Sequence, residues 1–333
     1  MTGSAVAKAQ ALLEVNRADD AAAALAQALA NDPRDWHAWC VLAVAHLLRQ
    51  RHREAVDATN RAIELQPGAE WPHRIASIAE LGLGNRGRAV AAAREAVRLA
   101  PQSPYAHAQL AHALSHRWPW RWPEAAREAD RALELGSHDG DVHRMAGNVA
   151  LRLRRRRLAE SRYQKALEID PSDSGAMNNL ALVRLRRGFP IAAAAGFTRA
   201  AVLDPTTDRH RRNLDGAVAH SLGYAAVLFG AVALVELLHP AVGPEALALA
   251  AGVVALYLVR ARRALGPAAW NYVKGVPLAN FQVGRTAALV GIQVVFLCAF
   301  FVTGASGSPA FAFFPLLFGA RVFLQLGFRR ILR

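Results

Sequence analysis

Cysteine is nearly absent: 333 residues hold two, Cys40 and Cys298, one in each half of the chain. No disulfide framework and no cysteine set for zinc follow from that spacing. The start, MTGSAVAKAQALLEVNRADD, has no continuous apolar core behind a basic residue. It therefore predicts no signal peptide, and the N-terminal half is expected to stay in the cytoplasm. No nucleophile–base arrangement and no phosphate-cradling loop appears. Gly82, Gly84 and Gly87 in LGLGNRG fall in a repeat turn and not after a strand, so they are no dinucleotide fingerprint. His112 and His116, at i and i+4, could supply two metal ligands, but no third stands on the same helix. The expectation is a protein without catalytic residues, cofactor or metal. Acidic residues are also scarce at one end. Residues 222–333 carry nine Lys or Arg but only Glu236 and Glu245, while residues 1–221 carry 31 and 24. The few charges of the last third lie between long apolar runs, the patterning of a membrane protein.

What the chain does have is a period. The segments ALANDP, AIELQP, AVRLAP, ALEIDP and AAVLDP end at Pro33, Pro67, Pro101, Pro171 and Pro205. ALELGS, with Ser137 in the proline position, divides the one long interval into 36 and 34 residues; the other intervals are 34. Five residues before each endpoint stands Ala28, Ala62, Ala96, Ala132, Ala166 or Ala200. Seven further back stands Ala21, Ala55, Ala89, Ala125, Ala159 or Ala193. Small residues at fixed spacing let two antiparallel helices approach, and each pair buries its open face on the next. Proline closes the second helix because it cannot continue one.

This pattern resembles the tetratricopeptide repeat (TPR) family over about residues 2–205, with five full repeats after a more degenerate first one. Matching positions include Trp39, Leu42 and Ala43, then Leu110 and Ala111, then Ala146, Gly147 and Tyr163, then Leu180, Ala181, Gly188 and Phe197. The predicted fold is all-α: a helical solenoid over 1–205, a capping or linker helix over 206–216, and a four-helix transmembrane domain over 217–333. The 36-residue unit gains its two residues between Leu114 and Ala125, so HRWPWRWP reads as a lengthened loop inside a repeat. Two prolines in six positions do not fit a helix interior.

Four apolar runs, about 217–238, 241–259, 286–302 and 309–328, approach the ~20 residues needed to cross a bilayer. DRHRRN before the first, RARR with Lys274 and Arg285 between the second and third, and RRILR at the end put the basic flanks on one side. The connections HPAVGPE and GASGS carry no Lys or Arg. Both termini and the repeats are therefore expected in the cytoplasm, and the composition is that of a bacterial inner-membrane protein. Intramembrane polar residues are few: Glu236, Gln293, Arg321 and Gln325.

The turns within helix pairs read RQRHRE, LGNRGR, HRWPWRWP, RLRRRR and RRGFP. Those between pairs read NDPRD, QPGAE, APQSP, GSHDGD, DPSDS and DPTTD. One edge of the solenoid is thus basic and the other polar to acidic. A helix from about Asp208 that runs back from the acidic edge into the first span would bring the basic edge to the bilayer. Arg154, Arg155, Arg156 and Arg157 would then meet anionic lipid, at about 1 kcal/mol per basic residue. Trp118, Trp120 and Trp122 suit the headgroup level, and packing on adjacent repeats is the other reading of these rings. With that edge on lipid, nucleic acid is not expected as a partner.

The resemblance further implies that first helices offer a groove to a protein segment. By it, the groove positions are Arg144, Asn148 and Arg152 in one unit and Asn178, Asn179 and Arg186 in the next. Tyr105, His112 and His116 precede them, and Trp71 with Arg74 stands earlier still. Arginine and asparagine together can hold a carboxylate, as in the carboxylate clamps of some family members, although their usual lysines are missing. The leading expectation is a membrane-anchored adaptor that binds an acidic or C-terminal segment and recruits it to a membrane complex. The alternative is an accessory subunit of a transporter or secretion system. Nucleic-acid binding through the arginine edge ranks last.

Overall fold

The computed structural model describes residues 2–116, 119–207 and 209–217, together with positions 259 and 263. Twelve α-helices are found among the described residues: α1 (Thr2–Glu14), α2 (Ala18–Asn31), α3 (Trp36–Leu48), α4 (His52–Leu65), α5 (Glu70–Gly82), α6 (Arg86–Leu99), α7 (Pro104–Ser115), α8 (Trp122–Leu135), α9 (Gly140–Arg152), α10 (Arg156–Ile169), α11 (Ser174–Arg186) and α12 (Pro190–Leu203). Residues 209–217 are also helical. The chain divides into two compact units, Met1–Leu180 and Ala181–Arg333.

In the first unit successive helices pack as antiparallel pairs, and each second helix packs on the first helix of the next pair. First helices also touch one another, α1 on α3, α3 on α5, α5 on α7 and α7 on α9. Among the described residues the backbones of the second helices stay further apart, and α6 and α8 meet through the Arg94–Glu124 ion pair. Closer spacing of first helices curves the array toward them, so α1, α3, α5, α7 and α9 line its inner face. The periodic alanines explain the close approach. All twelve are buried, and only Ala28, at 8%, retains any exposure. Two apolar clusters run through this unit: one from Val6 to Ile75 and one from Ala89 to Leu153.

The turns repeat as well. Asn16, Gln50, Gly84 and Arg154 have φ near +59° or +80° at the same place after α1, α3, α5 and α9. Each is followed by the paired backbone bonds of a Schellman turn: Gln50 N–H donates to Leu47 and Arg51 N–H to His46, for example. For Arg154 the left-handed conformation costs about 1 kcal/mol that glycine would avoid. The two-residue insertion after α7 departs from this pattern. Pro119–Arg121 form a short 3-10 turn, and α8 starts at Trp122 with proline in its first turn. The tryptophan segment is therefore loop only in part, a correction to the sequence reading: Trp122 and Pro123 are helical. Proline is tolerated there because first-turn amides have no intrahelical acceptor.

Between pairs, side-chain caps start α3, α7, α9 and α11, while α5 begins at Ala69 without one. Asp35, Ser103 and Asp173 accept from the backbone N–H of Ala38, Ala106 and Ala176. Asp139 Oδ1 accepts from Asp141 N–H at 2.9 Å, while its Oδ2 accepts from Tyr105 O–H at 2.5 Å. The acidic edge is thus capping chemistry. Tyr105 is held in its phenol form by that bond, then by burial, with its pKa pushed up to about 12. Asp139→Ala removes a cap and an inter-repeat bond together, and should cost about 2 kcal/mol. Asp139→Asn should keep most of it. Thermal unfolding of the two variants checks this, and an unchanged melting temperature for the alanine variant would refute it.

A further repeated bond was not evident from residue types. Trp39 Nε1–H donates to the carbonyl of Pro33 at 3.0 Å. Two and three units on, His107 Nε2 meets the carbonyl of Pro101 at 3.0 Å and His143 Nε2 that of Ser137 at 2.9 Å. A ring nitrogen at this place ties these three pairs to the end of the preceding one, whereas His73 at the equivalent position leaves its Nε2 without a partner.

In the second unit, Phe197 is fully buried among Ala181, Ala193, Ala194, Leu214 and Ala217. Among the described residues no helix is long and apolar enough to cross a membrane. The four runs at 217–238, 241–259, 286–302 and 309–328 lie outside the described residues, apart from Ala217 and Val259.

Candidate functional site

The inner face of the first unit carries two kinds of surface. Near the start of its helices the rings form a ladder. Trp36 and His37 meet edge to face at 5.7 Å, and His37 and Trp71 stand 5.0 Å apart. The Arg74 guanidinium lies 5.2 Å over the Tyr105 ring and is paired with Glu70 at 2.7 Å. Beyond the ladder, Leu48 and Ile78 are exposed at 50% and 41%. None of Trp36, His37, Leu48 or Ile78 carries a motif that marks it; only the register of α3, α5 and α7 brings them together.

Near the other end of the same helices the surface is cationic. His112 and His116 touch through their Nε2 atoms at 3.2 Å, rings nearly perpendicular. Burial lowers the His112 pKa to about 4 and that of His116 to about 3. Arg152 adds to both shifts, and His112 itself and Arg86 add to the second. Both rings are thus neutral near pH 7. Arg152 is held below its usual range by burial and by Arg86. Among the described residues neither Arg86 nor Arg152 meets a carboxylate, in contrast to Arg17, Arg49, Arg74, Arg94 and Arg144.

The remaining groove positions serve the fold. Arg144 pairs with Asp141 and, at 2.9 Å, with Asp173, so its charge is already balanced. Asn148 Oδ1 accepts from Tyr163 O–H at 2.8 Å and from Asn179 Nδ2–H at 2.9 Å. Asn178 is buried and donates to Asn179 Oδ1. Arg144, Asn148, Asn178 and Asn179 thus knit α9, α10 and α11 together, and the charge available to a ligand moves to Arg152 and Arg86. Arg186 is exposed at the end of α11, within the second unit. His112 and His116 do meet, but no group of three His, Cys, Asp or Glu that could hold a metal occurs among the described residues.

On the turn edge, Trp120 is 69% exposed, whereas Trp122 is half-buried against the core cluster of α6–α9. Trp122 therefore packs on the repeats, and Trp118 lies outside the described residues. Arg154, Arg155, Arg156 and Arg157 are all exposed. Side-chain caps are absent from the starts of α2, α4, α6, α8, α10 and α12, so capping does not explain the basic residues of this edge. Cys40 is buried, and burial followed by Asp35 raises its thiol to about 12, which leaves it without nucleophilic character.

Comparison with known proteins agrees with this geometry. The tetratricopeptide-repeat family model matches residues 6–70 and 144–208. No curated protein matches the chain at a significant level. Among solved structures, the chain is similar to the APC/C hetero-tetramer Cut9–Hcn1, with 19% identity, a TM-score of 0.51 and 65% of this chain covered. It spans only 43% of the length of that protein. It is also similar to a thermophilic TPR protein of Thermus thermophilus, with 20% identity and a TM-score of 0.51. That match covers 56% of this chain and 100% of the other. The periodic alanines, the paired helices and the two matched segments make the described N-terminal region a tetratricopeptide-repeat solenoid.

Proposed function

We propose that the protein is an adaptor whose inner TPR face binds an extended segment of another protein, and whose residues 217–333 hold it in a membrane. The observation that carries the first part is the pairing of an exposed ring-and-aliphatic surface with an uncompensated cationic end on one concave face. Apolar side chains of a segment would cover Trp71, Ile78 and Leu48, and its acidic groups would face Arg152. Aromatic and arginine side chains are the residue types that dominate binding surfaces. Hydropathy and the distribution of basic residues support the second part, with both termini and the solenoid on the cytoplasmic side of a bacterial inner membrane. The basic turn edge, with Trp120 and Arg154–Arg157, would lie against anionic lipid, since no capping role accounts for its charge.

Photocrosslinking in cells tests the first part. Probes at Leu48, Ile78 and Arg152 should give one dominant protein adduct, and probes at the outer-face residues Leu65 and Ile169 should not. Loss of that adduct in Trp71→Ala, by about tenfold, is the expected result. No discrete adduct from any inner-face probe would sink the peptide reading. The membrane part is checked by fractionation: release of the full chain by alkaline carbonate would overturn it.

A further inference from the structure

The ring-and-aliphatic half of the inner face explains an apolar contact, but not why four cationic or imidazole side chains gather at its other end. They come from three successive pairs: Arg86 starts α6, His112 and His116 end α7, and Arg152 ends α9. Beside burial, the Arg152 guanidinium opposes the imidazolium form of both rings, and His112 and Arg86 oppose that of His116. The nearby carboxylates are spent elsewhere. Glu80 of α5 accepts from Asn85 at 2.7 Å with Arg88 at 3.9 Å, and Glu124 of α8 is bound by Arg94 and Arg121 at 2.8 Å. The ring contact itself has a requirement. For two Nε2 atoms to bond at 3.2 Å, one must carry hydrogen and the other a lone pair. The accepting ring then carries its hydrogen on Nδ1, a donor not used by its neighbour.

We infer that Arg86, His112, His116 and Arg152 form a receptor for a doubly charged phosphoryl group carried by the segment that the inner face binds. The inference rests on the reading of that face as a binding surface. Two uncompensated guanidiniums match a dianion in charge, and their forked donors match the several oxygens of a phosphoryl group better than the two of one carboxylate. The ring N–H adds a further donor. A dianion at this place also favours the protonated rings, so its binding takes up protons as pH falls toward 6. His112 lies about one helical turn inside the end of α7, and the cluster spans three pairs across a concavity. Arg86 and Arg152 lie at the exposed turn edge, but His112 is set back one turn and half-buried, where an extended chain on the inner face reaches it and a flat lipid surface does not. The ladder at Tyr105 and the cluster at His116 are eleven residues apart on one helix, about 16 Å along its axis. An extended segment covers that distance in about five residues, which sets the spacing between its apolar anchor and its phosphorylated residue.

The test uses the full-length chain labelled with 13C at histidine Cε1, with His112→Gln and His116→Gln assigning the two ring signals. Titration with inorganic phosphate should move both signals and raise their apparent pKa, and chloride at equal ionic strength should not. Arg86→Gln with Arg152→Gln should weaken the phosphate response about tenfold or more, while circular dichroism reports an unchanged fold for these exposed positions. A phosphoserine peptide with an apolar residue five positions away should bind more tightly than its unphosphorylated form. Rings that respond to neither phosphate nor phosphopeptide would overturn the inference. So would a response to phosphatidate vesicles alone, or a preference for a glutamate peptide over the phosphopeptide. An inner-face crosslink without any ring response removes the phosphoryl site and leaves the peptide reading. Ring shifts with phosphate and no bound peptide remove the peptide reading and leave the anion site.

Discussion

Tyr163→Ala should destabilise the repeat region by about 4 kcal/mol, and Tyr163→Phe by about 1 kcal/mol. Tyr163 has no exposed surface and is the largest fully buried side chain of the solenoid. Its ring fills the space left by Gly147, where an added Cβ would stand 2.6 Å from Cε1 and 2.8 Å from Cδ1. Its hydroxyl donates to Asn148 Oδ1, which also accepts from Asn179. Truncation therefore opens a cavity and removes one of two bonds to a half-buried amide. Phenylalanine keeps the packing and loses the hydroxyl's bond to Asn148. The complement follows from the same contact: Gly147→Val should cost about 3 kcal/mol by overpacking. Urea unfolding followed by far-UV circular dichroism gives the ranking, alanine worst, valine next, phenylalanine mildest. A phenylalanine variant as damaged as the alanine one would show that the hydrogen bonds, and not the fitted ring, hold this pair together.

Acidification from pH 7.5 to 5 should lower stability by about 2 kcal/mol for each of His112 and His116. Both rings titrate below 6.5 in the fold, at about 4 and about 3, because burial and neighbouring guanidiniums oppose the imidazolium form. Between those values and 6.5 the unfolded chain binds more protons than the folded one, so stability rises with pH through that window. It is fully present above about pH 7 and drains away as pH falls through 6.5 toward 4. In the variant with His112→Gln and His116→Gln the slope should shrink by about two-thirds or more. It should not vanish, since His46 and His210 are also held low by burial. An unchanged slope in the double variant would mean that the rings are solvated and that their mutual contact is incidental. Saturating phosphate should flatten the wild-type slope, because an anion beside the rings offsets the guanidinium field.

Much of the repeat region was readable from composition and spacing. A 34-residue recurrence of alanine at two places and proline at a third leaves few ways to bury the apolar positions, and helix pairs stacked in register satisfy all of them. The alanines went where that logic put them, and the acidic edge followed from capping. The clamp residues show where such reading stops. Arg144 and Asn148 occupy groove positions, but whether a guanidinium is free depends on which carboxylates the next pair brings beside it, and Asp173 lies 29 residues on. Trp122 differs from Trp120 for a similar reason: a two-residue insertion ends in a 3-10 turn that rotates one ring onto the core and leaves the other outside.

Within the described residues the sequence by itself determined the helix count of the solenoid, the small-residue seams and the charge of the two edges, because each depends on residues close in the chain or on strict periodicity. It also sets the apolar runs beyond residue 217, which lie outside the described residues. Only the tertiary structure decided which polar groups neutralise one another. It joined His37 to Trp71, Tyr105 to Asp139 and His112 to His116, and among the described residues it left Arg86 and Arg152 without carboxylates. Those pairings join residues of different helices or one helical turn, and their energies depend on distances of a few ångströms that no periodicity encodes.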